Sequence, residues 1–119
     1  MKRDLQLVRK ILIYFEDKDS FAFEENIMID GYENKIVSYH IFIMFEAGLL
    51  SGEPTKTSEG RIYDVLPFRL TWEGHEFLDS TRGGRWDKIL KKIKEKGEDF
   101  TFELIKKLAT KYAEEQLFA

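Results

Sequence analysis

The amino-acid sequence predicts an α+β fold, with helices built around one β-hairpin and a pair of helices at the C-terminal end. Three observations predict it. Apolar residues recur at three- and four-residue spacing in the opening, middle and closing segments. Residues 61–70 alternate like a strand and face a short extended segment across a polar loop. Glycines and polar clusters mark the boundaries between these segments. A chain of 119 residues suits one folding unit, with residues 1–81 expected as the main domain and 82–119 as a helical hairpin packed on it.

In chain order, Leu5, Val8, Ile11, Leu12 and Phe15 line one side of a helix from about Arg3 to Asp17. Asp17-Lys18-Asp19-Ser20 is a polar break. Phe21 to Asp30 reads as a strand, with Phe21, Phe23, Ile27 and Ile29 at odd positions, or as a bent loop, because Glu24-Glu25-Asn26 interrupts the alternation. Gly31 turns the chain, and Asn34 to Ala47 forms a second helix that Gly48 terminates. Leu49 and Leu50 open an extended segment, and Glu53 to Gly60 is a polar tip. Arg61 to Leu70 returns as a strand with Ile62, Leu66, Phe68 and Leu70 on one face. Asp64 breaks that face, and Pro67, which has no N–H to donate, implies a bulge or an edge.

Thr71 is placed to cap a short helix carrying Trp72, Phe77 and Leu78, which Arg82-Gly83-Gly84 ends. Arg85 to Lys96 follows, with Trp86, Ile89, Leu90 and Ile93 in one stripe and Lys88, Lys91, Lys92, Lys94 and Lys96 outside it; Gly97 closes this helix. Thr101 is placed to cap the last helix, which runs to about Leu117 with Ile105, Leu108, Ala109 and Tyr112 facing inward.

Composition narrows the chemistry. With 43% hydrophobic and 14% aromatic residues the chain can bury a core despite being 34% charged. The lack of cysteine removes disulfides, thiolate metal sites and cysteine nucleophiles, and it fits a cytoplasmic setting. The longest apolar run of the opening segment, Ile11 to Phe15, is too short for a signal or membrane segment, so no membrane partner is expected. His40 lies one turn from Val37 and Met44 and reads as a buried, hydrogen-bonded histidine. His75 and Asp79, four apart, could share a metal, but zinc needs three or four ligands. Glu73, Glu76 and Asp79 have no nucleophile near them in sequence, and no phosphate-loop, dinucleotide or nucleophile-elbow motif occurs. The expectation is a non-enzymatic protein without metal, cofactor or small-molecule substrate.

Two local patterns sharpen the fold. Tyr39 to Leu50 runs through Glu46-Ala47-Gly48-Leu49 into the first hairpin strand, and Arg69 to Leu78 carries Leu70-Thr71, then Gly74. These resemble the end of a recognition helix entering a wing, and the join between the second wing strand and the next helix, in bacterial winged-helix regulators. The element order of helix, strand, helix, β-hairpin wing and helix is winged-helix-like. Along nearly its whole length the chain also resembles a bacterial and prophage family known as domain of unknown function 2513. That resemblance rests on Met1-Lys2-Arg3-Asp4, Leu7, Arg9, Lys10, Gly31-Tyr32, Tyr39-His40, Glu46 to Leu49, Leu70 to Asp79 and Glu114-Glu115-Gln116-Leu117. It implies a fold and a phage-linked origin, and no activity.

A winged-helix regulator of this kind would contact double-stranded DNA with the second helix and the wing. The candidate contacts are Asn34, Lys35, Ser38 and Tyr39 on the helix and Lys56 and Arg61 on the wing. The competing expectation is a protein-interaction or dimerisation adaptor that does not bind DNA, using Tyr39, Phe42 and Ile43 as its face. The helix offers one cation and two large apolar residues outward, and Glu53, Glu59 and Asp64 offset the wing cations Lys56, Arg61 and Arg69. Charge is uneven: residues 1–33 hold five Lys/Arg against eight Asp/Glu, 34–81 four against seven, and 82–119 ten against seven. Phosphate contacts from Lys88, Lys91, Lys92 and Lys96 compete with the simpler reading of a solvated helix face.

Overall fold

Helix α1 (Leu5–Asp17) begins where Asp4, in extended backbone, accepts the N–H groups of Gln6 and Leu7 at 3.0 and 3.2 Å. Its inner stripe is Leu7, Val8, Ile11, Leu12 and Phe15, all buried; Leu7 takes the place expected of Leu5, which is half-buried. The computed structural model describes residues 1–20, 22–96 and 102–118.

No strand forms over residues 22–30, so the bent-loop alternative holds for the described part; Phe21 lies outside the described residues. The physical reason is visible at three residues. Asn26 takes a positive φ of 56°, which bends the chain out of extended geometry. Glu24 makes an isolated backbone bond to the Pro67 carbonyl (3.1 Å), and Lys18 Nζ donates to the Ala22 and Phe68 carbonyls at 2.5 and 2.7 Å. A lysine head therefore satisfies carbonyls that a sheet ladder would otherwise have to pair.

Helix α2 (Asn34–Glu46) buries Val37, His40, Ile41 and Met44. Gly48, at φ 79°, ends it, and the Leu49 N–H returns to the Met44 carbonyl at 2.9 Å. Strands β1 (Leu50–Lys56) and β2 (Ile62–Leu70) form a two-stranded antiparallel sheet with Leu50 opposite Leu70 and Lys56 opposite Ile62. The register shifts between Ser51 and Gly52, whose partners are Arg69 and Pro67, so Phe68 is the extra residue of a bulge. This corrects the expected face of the returning strand. Val65 and Pro67 are buried before the bulge and Leu70 after it, while Leu66 and Phe68 are half-buried and Ile62 is exposed. The extra Phe68 swaps odd for even positions, and a second shift between Thr55 and Lys56 leaves Tyr63 extra beside Ile62.

Helix α3 (Trp72–Ser80) starts as expected from Thr71, whose Oγ1 accepts the Gly74 N–H at 3.0 Å and donates to the Gly48 carbonyl at 2.5 Å. Gly74 is required by space: a Cβ there would stand 2.2 Å from the Leu49 carbonyl oxygen. Helices α4 (Arg85–Lys96) and α5 (Phe102–Phe118) pack on each other. The expected stop at Gly97 and cap at Thr101 lie outside the described residues.

The chain divides into two compact units, Met1–His75 and Glu76–Ala119. The first has its core at Leu7, Ile11, Leu12, Val37, Met44 and Leu50; the second buries Leu78, Ile89, Ile105 and Ala109. Within the second unit Arg85 acts as a clasp, its guanidinium donating to the Ser80 and Asp79 carbonyls (2.7 and 2.6 Å) and to Gln116 Oε1 (2.6 Å). Gln116 Nε2 then donates to the Gly83 carbonyl at 2.7 Å. Among the described residues no helix is long and apolar enough to cross a membrane.

Candidate interaction surfaces

Helix α2 presents less apolar surface than its composition suggests. Tyr39, Phe42 and Ile43 are half-buried, which corrects the expectation that Phe42 and Ile43 face outward. Phe45 is half-buried too, and His40 lies in the buried stripe, as expected. His40 is fully buried; Nε2 accepts the Asp4 backbone N–H at 2.8 Å and Nδ1 lies 2.8 Å from the Ile36 carbonyl, an arrangement met by the tautomer protonated on Nδ1. The ring is thus a bolt between the start of α1 and the middle of α2.

The exposed residues of α2 are Asn34, Lys35, Ser38 and Glu46. Lys35 lies 3.6 Å from the Glu33 carboxylate. Asn34 and Ser38 open onto a cleft of about 330 Å³ whose other walls are residues 24–27 and β2. Its floor is Ile27, Ile41, Val65 and Pro67, and its charged lining is Glu24, Glu25 and Asp64, with no cation. Glu24 is already engaged: the Tyr14 phenol donates to its Oε2, and Lys18 Nζ stands 3.7 Å from its Oε1. That hydrogen bond, then burial and the negative charge of Glu24, push the Tyr14 phenol from its ordinary 10 up to about 12. Asp64 Oδ1 accepts the Val65 N–H at 2.9 Å, and Glu25 is exposed.

The carboxylate cleft is what sequence reasoning missed as a site, although both of its signals were visible. Glu24-Glu25-Asn26 broke the alternation of one segment and Asp64 broke the alternation of another. The fold brings these two interruptions to the same place. Lys18, read as part of a polar break, proves to have a side chain only 7% exposed.

On the hairpin, Lys56 and Arg61 are exposed at the base of the tip, where the Thr57 N–H meets the Arg61 carbonyl at 2.8 Å. Neither lines the cleft onto which Asn34 and Ser38 open. His75 is exposed, and Asp79 Oδ1 receives the Arg82 Nε at 3.1 Å. Among the described residues no group of three or more His, Cys, Asp or Glu is placed to hold a metal ion. On α4, Ile89 is buried and Trp86, Leu90 and Ile93 are half-buried, whereas Lys88, Lys91, Lys94 and Lys96 are exposed.

These features define an α+β chain whose first unit carries a polar cleft and whose second carries a cationic helix. The model of a family described as "Hypothetical protein (DUF2513)" matches residues 2–99. The chain belongs to that family. It is also similar to a protein of Haemophilus influenzae described as "Uncharacterized protein", at 32% identity over 113 residues covering 92% of each chain. No solved structure matches it.

The residues that carried the family resemblance now have physical roles. Asp4 caps α1 and gives its N–H to His40, and its carboxylate, after burial, helps to raise the pKa of Tyr32. Gly48, Leu49, Thr71 and Gly74 form the joint between hairpin and α3. Gln116 is half of the Arg85 clasp. The motifs therefore mark joints of the architecture, and the cleft lies apart from them.

Proposed function

We propose that this chain is a non-enzymatic, winged-helix-like regulatory adaptor of prophage type that binds a protein partner through the carboxylate cleft beside α2. The single observation that carries this reading is the convergence of Glu24, Glu25 and Asp64 around an apolar floor, next to Asn34 and Ser38. A helix flanked by such a wall repels phosphate, which weighs against α2 as a reader of DNA bases. It suits a lysine or arginine side chain, whose aliphatic stem would lie on Ile27 and Val65 while its head meets Glu25 and Asp64.

Selection of a random peptide display library on the purified protein tests this. Wild type is expected to enrich segments centred on Lys or Arg, and Glu25→Gln/Asp64→Asn, which keeps the local hydrogen bonds, is expected to lose that enrichment. Enrichment that survives the double substitution, or none at all, would refute the adaptor reading. Lys56 and Arg61, exposed on the hairpin, favour a second reading in which the wing touches DNA. Lys56→Ala/Arg61→Ala would then weaken duplex binding, and no loss on that substitution counts against it.

A further inference from the structure

Beyond the cleft, we propose that α4 is a docking surface for the phosphate backbone of duplex DNA. Arg85 to Lys96 contains six Lys/Arg against two acids, Asp87 and Glu95. Lys88, Lys92 and Lys96 follow at four-residue steps, so they form a row along one side of the helix at roughly 6 Å intervals. Lys91 and Lys94 stand on the adjoining side, both exposed. A linear array of cations complements a linear polyanion, and the match is one of charge.

The neighbouring helix narrows the choice of partner. An amphipathic helix that lies in a membrane must bury its apolar side in lipid. Here that side is spent: Ile89 is fully buried, Trp86, Leu90 and Ile93 are half-buried, and α4 packs on α5, where Ile105 and Ala109 are fully buried. The exposed residues of α4 are all charged, Lys88, Lys91, Lys94 and Lys96 with Asp87 and Glu95, while Lys92 is half-buried. Lys88 also lies 5.6 Å from the Tyr112 ring centroid, a contact that holds its stem near α5. The surface therefore suits sequence-independent backbone contact, since phosphates position a protein without identifying bases.

The test uses the full chain, a fluorescent 20-base-pair duplex of arbitrary sequence and a salt titration. Wild type is expected to bind at low salt and to weaken steeply as salt rises. Lys91→Gln/Lys92→Gln/Lys96→Gln spares the Lys88 contact; it is expected to bind roughly ten-fold less tightly and to lower the salt slope by about 3. Circular dichroism and thermal melting confirm that it folds. Glu25→Gln/Asp64→Asn is expected to leave duplex binding intact, which separates this proposal from the adaptor reading. Absence of wild-type binding at low salt would overturn the proposal, as would a triple variant with unchanged affinity and slope. Stronger binding to a polyglutamate peptide, or to vesicles with anionic lipid, than to duplex would overturn it in favour of an acidic protein or a membrane surface.

Discussion

Residues 1–75 hold nine Lys/Arg against thirteen Asp/Glu, whereas residues 76–119 hold ten against nine, with six of the ten on α4 alone. The two units differ as much in how they are fastened. In the first, several polar joints link residues far apart in sequence: His40 to Asp4 and Lys18 to Phe68, both half-buried, and Thr71 to Gly48, which is exposed. In the second, a clasp of Arg85 and Gln116 ties helix ends together at a partly exposed site. The difference teaches that the first unit has little freedom to change without unfolding. The cationic face of the second can be altered while the fold is kept. Substitutions should therefore separate into those that move stability and those that move binding.

The sharpest way to break the first unit is Gly74→Ala. The added Cβ would meet the Leu49 carbonyl oxygen at 2.2 Å, backbone against backbone, so no rotamer change relieves it. A loss of about 3 kcal/mol is expected from such overpacking, read as a lower denaturant midpoint. A variant as stable as wild type would show that the joint between hairpin and α3 is not rigid. Next is His40→Phe, which keeps a ring of similar size but removes the acceptor of the Asp4 N–H. Leaving that group without a partner costs about 2 kcal/mol, and the loss should appear in equilibrium unfolding together with faster amide exchange at the start of α1.

How much of this was legible follows from which interactions are local. The helices were readable from spacing and the Thr71 cap from its neighbours, because those patterns arise within one turn or one strand. Pro67 announced a bulge, but sequence could not say which residue was extra, so the buried face of β2 was read one position out. The carboxylate cleft needed the fold, because residues 24–27, α2 and β2 meet there only after long-range packing. Lys18 was misread for the same reason: its carbonyl partner on β2 is fifty residues away.

Arg85→Ala tests whether the second unit depends on its clasp as the first depends on its joints. The substitution removes three donated hydrogen bonds and leaves two carbonyls at the end of α3 to water. Because the site is partly exposed, water replaces much of what is lost, and about 1 kcal/mol is expected. Hydrogen exchange should rise in α4 and α5. Gln116→Ala should produce part of the same change, and a null result for both would mean that helix packing alone fixes this unit.

The smallest expected effect is one of pH. Tyr14 donates to Glu24, and its pKa is raised from 10 to about 12, so the folded state holds the phenol proton more tightly than the unfolded chain does. The stabilisation is therefore complete below pH 10 and is lost as pH climbs from 10 towards 12. The phenol is partly in contact with solvent, which screens the interaction and keeps the effect modest. Tyr14→Phe should flatten part of the alkaline fall in stability across that window and leave the slope between pH 6 and 9 unchanged. Tyr32, also raised, by burial first and then by Asp4, accounts for part of what remains. An alkaline slope identical in wild type and Tyr14→Phe would show that Glu24 is held by Lys18 and the Pro67 carbonyl without help from the phenol.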